Sequence, residues 1–114
     1  MKLKVYYLDD EELLIDLFID NFESDEIDLK TFNIPDEAIK EVQKSPPDLF
    51  FIDYRMPGIN GDEVAMTIDK SIPKFLITGD IDHKTNYNFI KVIRKPYNAR
   101  EIRAIIQEYL DKMS

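Results

Sequence analysis

A chain of 114 residues is one domain, which excludes an enzyme with separate cofactor and substrate lobes, and a 44% hydrophobic content lets roughly two thirds of the unfolded surface be buried. Fifteen Lys and Arg against 23 Asp and Glu leave a net charge of −8, which repels nucleic-acid backbones and anionic lipid, so neither direct nucleic-acid binding nor membrane insertion is expected. The absence of cysteine removes thiolate and Cys-based metal chemistry, and the single histidine, His83, removes any His-rich metal site.

The first strand is residues 3–8, a β-branched and aromatic run rather than a signal peptide, and no apolar run approaches the ~20 residues of a membrane span. A cytoplasmic location is therefore expected. The run ends at Asp9, Asp10, Glu11 and Glu12, after which Leu13, Leu14, Leu17, Phe18 and Phe22 return at helical spacing. Residues 28–32 read as a second strand. Residues 36–44 form a helix with Ala38, Ile39 and Val42 on one face, stopped by Pro46 and Pro47. Residues 49–52 are continuously apolar, as in a strand buried on both faces, and end at Asp53. Pro57, Gly58 and Gly61 mark a loop, followed by a short helix over 62–70, a buried strand over 75–78, a weak helical stretch over 83–89 and a last strand over 91–93. Asn98, with Glu101 three residues on, predicts a capping box opening a closing helix whose apolar face carries Ile102, Ile105, Ile106, Tyr109 and Leu110.

Strands alternating with helices predict an α/β domain, a doubly wound parallel sheet covered on both faces, with ligands outside the carboxyl ends of the strands. Asp9 and Asp10 follow the first strand, Asp53 the third, Thr78 ends the fourth and Lys95 follows the fifth, so all five belong to one rim. Converging carboxylates repel by about 4 kcal/mol per pair at ~4 Å and an effective dielectric near 20, a cost that a divalent cation removes. Oxygen-only ligands with room for waters and a phosphate favour Mg2+ over Ca2+. With a lysine and a hydroxyl added, these are the parts of a phosphoryl-transfer site. Taken singly, each has a plainer reading: the aspartates as helix caps, Thr78 as a buried strand residue, Lys95 as a solvated loop cation. His83, in a polar stretch, reads as a surface residue.

In the acidic pair Asp9 and Asp10, the run Asp53, Tyr54, Arg55, Met56, Pro57 with Gly61 downstream, Thr78 followed by Gly79, and Lys95 followed by Pro96 and Tyr97, the chain resembles the receiver domain of two-component response regulators. The resemblance spans residues 1–114 as a single receiver of the chemotaxis-regulator-like type, and implies a flavodoxin-like five-stranded sheet of order 2-1-3-4-5. It implies that Asp53 accepts a phosphoryl group from the phosphohistidine of a sensor histidine kinase or phosphotransfer protein. Magnesium would be held by Asp10 directly, by Asp9 partly through water, by Asp53 and by the main-chain carbonyl of Arg55. Thr78 and Lys95 would hold the phosphoryl oxygens, with a cis peptide between Lys95 and Pro96. Such a protein is a stoichiometric phosphoacceptor in signal transduction rather than a turnover enzyme, with a downstream effector protein the sequence does not name. Leu14 and Leu17 on the first helix are the expected contact for a phosphodonor helix bundle. The rival reading is a degenerate receiver that acts as a phosphorylation-independent interaction module. A phosphatase of the haloacid dehalogenase type would need an acid two residues after Asp53, where Arg55 stands.

Two departures from the family pattern carry expectations of their own. Asp53 and Thr78 are 25 positions apart and Thr78 and Lys95 17, which predicts shortened third and fourth helices. The position of the family's switch aromatic is Val92, with Tyr97 and Phe89 the nearest rings, so the switch should be local to Thr78 and Lys95. The resemblance also implies that Arg55 and Asp80 stand beside the path of the attacking water, where a bidentate pair would slow dephosphorylation; the competing expectation is that Asp80 orients the water and speeds it.

Overall fold

A computed structural model describes residues 1–80 and 83–113. The elements are β1 (Leu3–Leu8), α1 (Glu12–Phe22), β2 (Ile27–Phe32), α2 (Pro35–Lys44), β3 (Leu49–Asp53), α3 (Gly61–Thr67), β4 (Lys74–Thr78), β5 (Lys91–Arg94) and α4 (Ala99–Met113). All strand pairs are parallel, and the sheet order is β2-β1-β3-β4-β5. This is the flavodoxin-like order that the resemblance implies.

Because side chains alternate across a strand, β1 sends Val5 and Tyr7 to one face and Tyr6 and Leu8 to the other, and the neighbouring strands follow in register. The first face, continued by Phe51, Phe75 and Ile77, packs under Ile15, Phe18 and Phe22 of α1 and Ile102, Ile105 and Ile106 of α4. There Tyr7 stacks on Phe18 at 4.1 Å and Phe51 on Phe75 at 4.9 Å. The second face, continued by Phe50, Ile52 and Leu76, packs under Ala38 and Val42 of α2 and Val64 and Ala65 of α3. Burial on both faces is why β3 reads as an unbroken apolar run.

Three expectations need correction. Helix α3 stops at Thr67 rather than at residue 70, because Ile68 is already extended at φ −106°, ψ 152°. Its start carries a complete capping box, in which Asn60 accepts from the Glu63 N–H and the Glu63 side chain accepts from the Asn60 N–H. At α4 the predicted box gives way to a plain N-cap: Asn98 Oδ1 accepts from Arg100 N, one residue short of Glu101, at 2.9 Å, while the Glu101 side chain turns to Lys91 at 2.7 Å.

The third correction is the stretch over 83–89, which is not helical. Thr85 Oγ1 accepts from Tyr87 N at 3.0 Å, a local bond that competes with helix formation. The buried Lys74 Nζ donates to Tyr87 Oη at 2.8 Å and to the Asp69 carbonyl at 2.7 Å, which ties the connection down over β4. Shortening has thus gone as far as loss: among the described residues no helix lies between β4 and β5. The sheet is left open there, with Ile90 58% and Val92 40% exposed.

Candidate functional site

The carboxyl ends of β1, β3, β4 and β5 bring the acidic rim together. Asp9, just beyond β1, is buried, and its Oδ1 accepts from Glu11 N at 2.9 Å, turning the chain toward α1. Its Oδ2 accepts from the Tyr7 hydroxyl at 2.6 Å. Burial, reinforced by the charge of Asp9, pushes the Tyr7 phenol up, so it remains a proton donor to that carboxylate. Tyr7 sits two residues before Asp9 on the same face of β1, a placement the strand period makes visible in the sequence but that polarity alone does not flag.

Asp53, the last residue of β3, is 1% exposed. Lys95 Nζ lies 2.7 Å from its Oδ1 and 3.6 Å from Asp9 Oδ2. Burial raises the Asp53 carboxyl to about 6, with the hydrogen bond from Lys95 opposing and the charge of Asp9 adding to the rise. Burial lowers Lys95, but its bond to Asp53 and the charges of Asp53 and Asp9 outweigh that and hold it above the usual lysine value. Asp53 Oδ2 is buried and has no hydrogen-bond partner among the described residues. Asp9, Asp10 and Asp53 each place a carboxylate oxygen within 4.8 Å of the others, Asp10 being the least buried of the three.

Thr78 closes β4, buried, and its Oγ1 accepts from Asp80 N at 3.1 Å, which leaves the hydroxyl proton free to donate elsewhere. Lys95 N donates to the Thr78 carbonyl at 2.8 Å, seating Lys95 beside it, and the Lys95–Pro96 peptide is cis. Gly61 permits the close approach of the loop after β3: a Cβ there would lie 2.7 Å from the Asp53 carbonyl oxygen and 2.8 Å from Leu76 Cδ1. The resulting depression, of about 440 Å³, is lined by Asp10, Tyr54, Arg55, Met56, Pro57 and Asn60. The Arg55 side chain extends to solvent and meets Asp80 at 3.2 Å.

The structure therefore gathers Asp9, Asp10, Asp53, Thr78 and Lys95 at one rim, with Arg55 on its border. His83 departs from the surface reading: its side chain is only 8% exposed, 3.4 Å from Asp62. Tyr97 and Phe89 pack in cores on opposite faces of the sheet, and neither stands in for an aromatic at position 92.

The family model for the response regulator receiver domain matches residues 5–107. The chain belongs to the response regulator receiver domain family. This receiver is 25% identical to the alkaline phosphatase synthesis transcriptional regulatory protein PhoP of Bacillus subtilis, over 96% of this chain and 49% of that protein. It is 29% identical to sporulation initiation phosphotransferase F of Bacillus subtilis, over 65% of this chain and 66% of that protein. The receiver spans about half the length of the curated transcriptional regulators it matches. Among solved structures, a CheY-like response regulator receiver domain protein from Methanospirillum hungatei superposes with a TM-score of 0.86 at 20% identity, covering 98% of this chain and 96% of that one. The signal receiver domain of an HD domain-containing protein from Pseudomonas fluorescens gives 0.87 at 16% identity, covering 98% and 97%. At such identities these likenesses speak for the fold.

Proposed function

We propose that this receiver takes a phosphoryl group onto Asp53 from the phosphohistidine of a sensor histidine kinase or phosphotransfer protein, and signals the change to an effector protein. The observation that carries the reading is the asymmetry of the Asp53 carboxylate. One oxygen is engaged by Lys95, the other is buried and without a hydrogen-bond partner among the described residues, and the carboxylate stands beside those of Asp9 and Asp10. An oxygen so placed is a nucleophile awaiting an electrophile. In the transfer, Asp53 Oδ2 forms a bond to phosphorus as the P–N bond of the donor breaks, and the imidazole leaves with the bonding pair and is protonated.

The donor set suits Mg2+: three carboxylates converge, all donors are oxygen, and a shallow depression leaves space for waters and a phosphate. Asp9, Asp10, Asp53 and the main-chain carbonyl of Arg55 would hold it. Bound there, the ion neutralises charge on the phosphoryl oxygens. Lys95 then exchanges its bond to Asp53 for one to a phosphoryl oxygen, and the Thr78 hydroxyl donates to another. On this reading the phosphoryl group ends on the chain's own Asp53, one per chain, which makes the receiver a stoichiometric phosphoacceptor rather than a turnover enzyme.

For the donor, α1 presents Leu13 at 82% and Leu17 at 47% exposure, next to the rim. Leu14, expected with Leu17 to meet the donor, is half-buried, and Leu13 joins them as the most exposed apolar residue of the helix. A cytoplasmic site of action follows from a kinase donor, and no described helix is long and apolar enough to cross a membrane. The reading as a phosphorylation-independent module draws on the open sheet beside Val92, but it leaves the orphaned Asp53 oxygen without a purpose. Incubation with the radiolabelled phosphohistidine form of a sensor kinase tests the proposal. Label should pass to the wild-type chain and not to Asp53→Asn; label reaching both equally would contradict it.

A further inference from the structure

Behind the phosphoacceptor loop lies a buried polar pair that this mechanism leaves unused. The side chains of His83 and Asp62 are 8% and 13% exposed, and His83 Nε2 stands 3.4 Å from Asp62 Oδ2. Among the described residues neither that nitrogen nor Asp62 Oδ1 has a hydrogen-bond partner. Burying such groups is costly unless they are paired, so the arrangement calls for a role. The His83 ring faces Tyr54, with ring centroids 3.8 Å apart and planes inclined at 45°.

Tyr54 is the residue after Asp53. Its N–H donates to the Ile77 carbonyl at 2.9 Å and its carbonyl accepts from Gly61 N at 2.8 Å, so its backbone is pinned at both ends of the 55–60 loop. Asp62 follows Gly61 in the first turn of α3. The Tyr54 ring in turn lines the depression that contains Asp10 and Arg55. Three segments thus meet at the His83 imidazole: the end of β3 through Tyr54, the start of α3 through Asp62, and the helix-free connection between β4 and β5 that carries His83 itself.

We propose that His83 is a positioning residue for phosphoryl transfer. Packed beside Asp62, its ring clamps the Tyr54 ring, and through it holds the 55–60 loop, whose Arg55 lines the same depression as Asp10. The clamp acts first on Mg2+ affinity and only through that on the chemistry. The inference rests on the phosphoacceptor reading of Asp53, but its first readout involves no phosphate.

The test compares the full chain as wild type, His83→Ala and His83→Phe, the last restoring an aromatic face against Tyr54. Mg2+ affinity is read from amide shifts of Asp10 and Arg55 during titration with MgCl2. The initial phosphorylation rate with acetyl phosphate is read at low and saturating Mg2+, and thermal midpoints are recorded alongside. His83→Ala should weaken Mg2+ binding about three- to tenfold, the scale of one lost aromatic contact, and His83→Phe should bring it back to within about twofold of wild type. The phosphorylation defect of His83→Ala should shrink at saturating Mg2+. A purely structural role would lower the midpoint and leave Mg2+ affinity unchanged, which would overturn the proposal. So would a His83→Phe variant as weak as His83→Ala, or a wild type binding Mg2+ no better than Asp10→Asn. A wild type that binds Mg2+ but takes no phosphate would sink the Asp53 reading instead, and the affinity series would still decide the clamp.

Discussion

The guanidinium of Arg55 reaches the carboxylate of Asp80 at 3.2 Å, Nη2 to Oδ2, joining the loops that follow β3 and β4 at the border of the acidic rim. The contact is a single bond rather than the fork that the residue types allow. With the two side chains 79% and 37% exposed, it adds little to stability, ~0 to 1 kcal/mol and less at high salt. Its consequence lies in where it stands: Arg55 also lines the depression that opens onto Asp10.

If the pair obstructs the water that would hydrolyse the phosphoaspartate, Arg55→Ala and Asp80→Ala should each speed phosphate loss. An increase approaching about tenfold corresponds to roughly 1.4 kcal/mol of barrier. The double variant should be no faster than the faster single one, because both remove the same obstacle. Decay of radiolabelled phosphoprotein measures this. Unchanged or slower loss in both single variants eliminates the gate, and slower loss in Asp80→Ala alone would assign Asp80 to orienting the water.

The second prediction follows from the buried Asp53 carboxyl, raised to about 6. A carboxyl whose folded value lies above its unfolded value binds more protons in the folded state, so its ionisation lowers stability as pH rises from about 4 to about 6 and holds it lower above that. Asp53→Asn removes the burden. In metal-free buffer its stability advantage should be near zero at pH 4 and grow to the order of 1 to 3 kcal/mol by pH 8, reduced by the partner that Lys95 loses. Urea unfolding at the two pH values reads it. Adding Mg2+ should move the Asp53 titration down, since a nearby cation favours the carboxylate. An advantage that is the same at both pH values, or a variant less stable at pH 8, would contradict the burial argument.

A third prediction separates the glycines. At Gly61 an added Cβ meets backbone at 2.7 Å, which cannot yield, so Gly61→Ala should cost on the order of 1 to 3 kcal/mol and weaken Mg2+ binding through the loop. Gly58 has open space but φ +84°, so an alanine there costs about 1 kcal/mol. At Gly79 the nearest contact is an ordinary 3.8 Å, and Gly79→Ala should be tolerated. The order of urea midpoints, Gly61→Ala below Gly58→Ala below Gly79→Ala, checks the account. A wild-type midpoint for Gly61→Ala would refute the close approach.

Much of this site was legible because parallel strands end where ligands bind, so Asp9, Asp53, Thr78 and Lys95 announce themselves as polar residues closing apolar runs. The sheet order was legible through the same motifs. What escaped depends on pairings distant in sequence. The two Asn-x-x-Glu runs, at Asn60 and Asn98, look alike, and only the position of Lys91 next to Glu101 shows why the second does not close as a box. The 83–89 stretch reads as weakly helical only by its place between two strands, but a lysine 13 residues before Tyr87 holds its hydroxyl and a local side-chain bond takes the backbone. His83 lies among polar neighbours, and its burial comes from Tyr54 and Asp62, 29 and 21 positions away.

Intact-mass measurement after incubation with acetyl phosphate and Mg2+ tests the central claim most directly. The account predicts one added phosphate on the wild-type chain, none in the presence of a chelator and none on Asp53→Asn. A wild-type chain that never gains the mass, or an Asp53→Asn variant that gains it equally, would contradict the assignment of Asp53 as the phosphoacceptor.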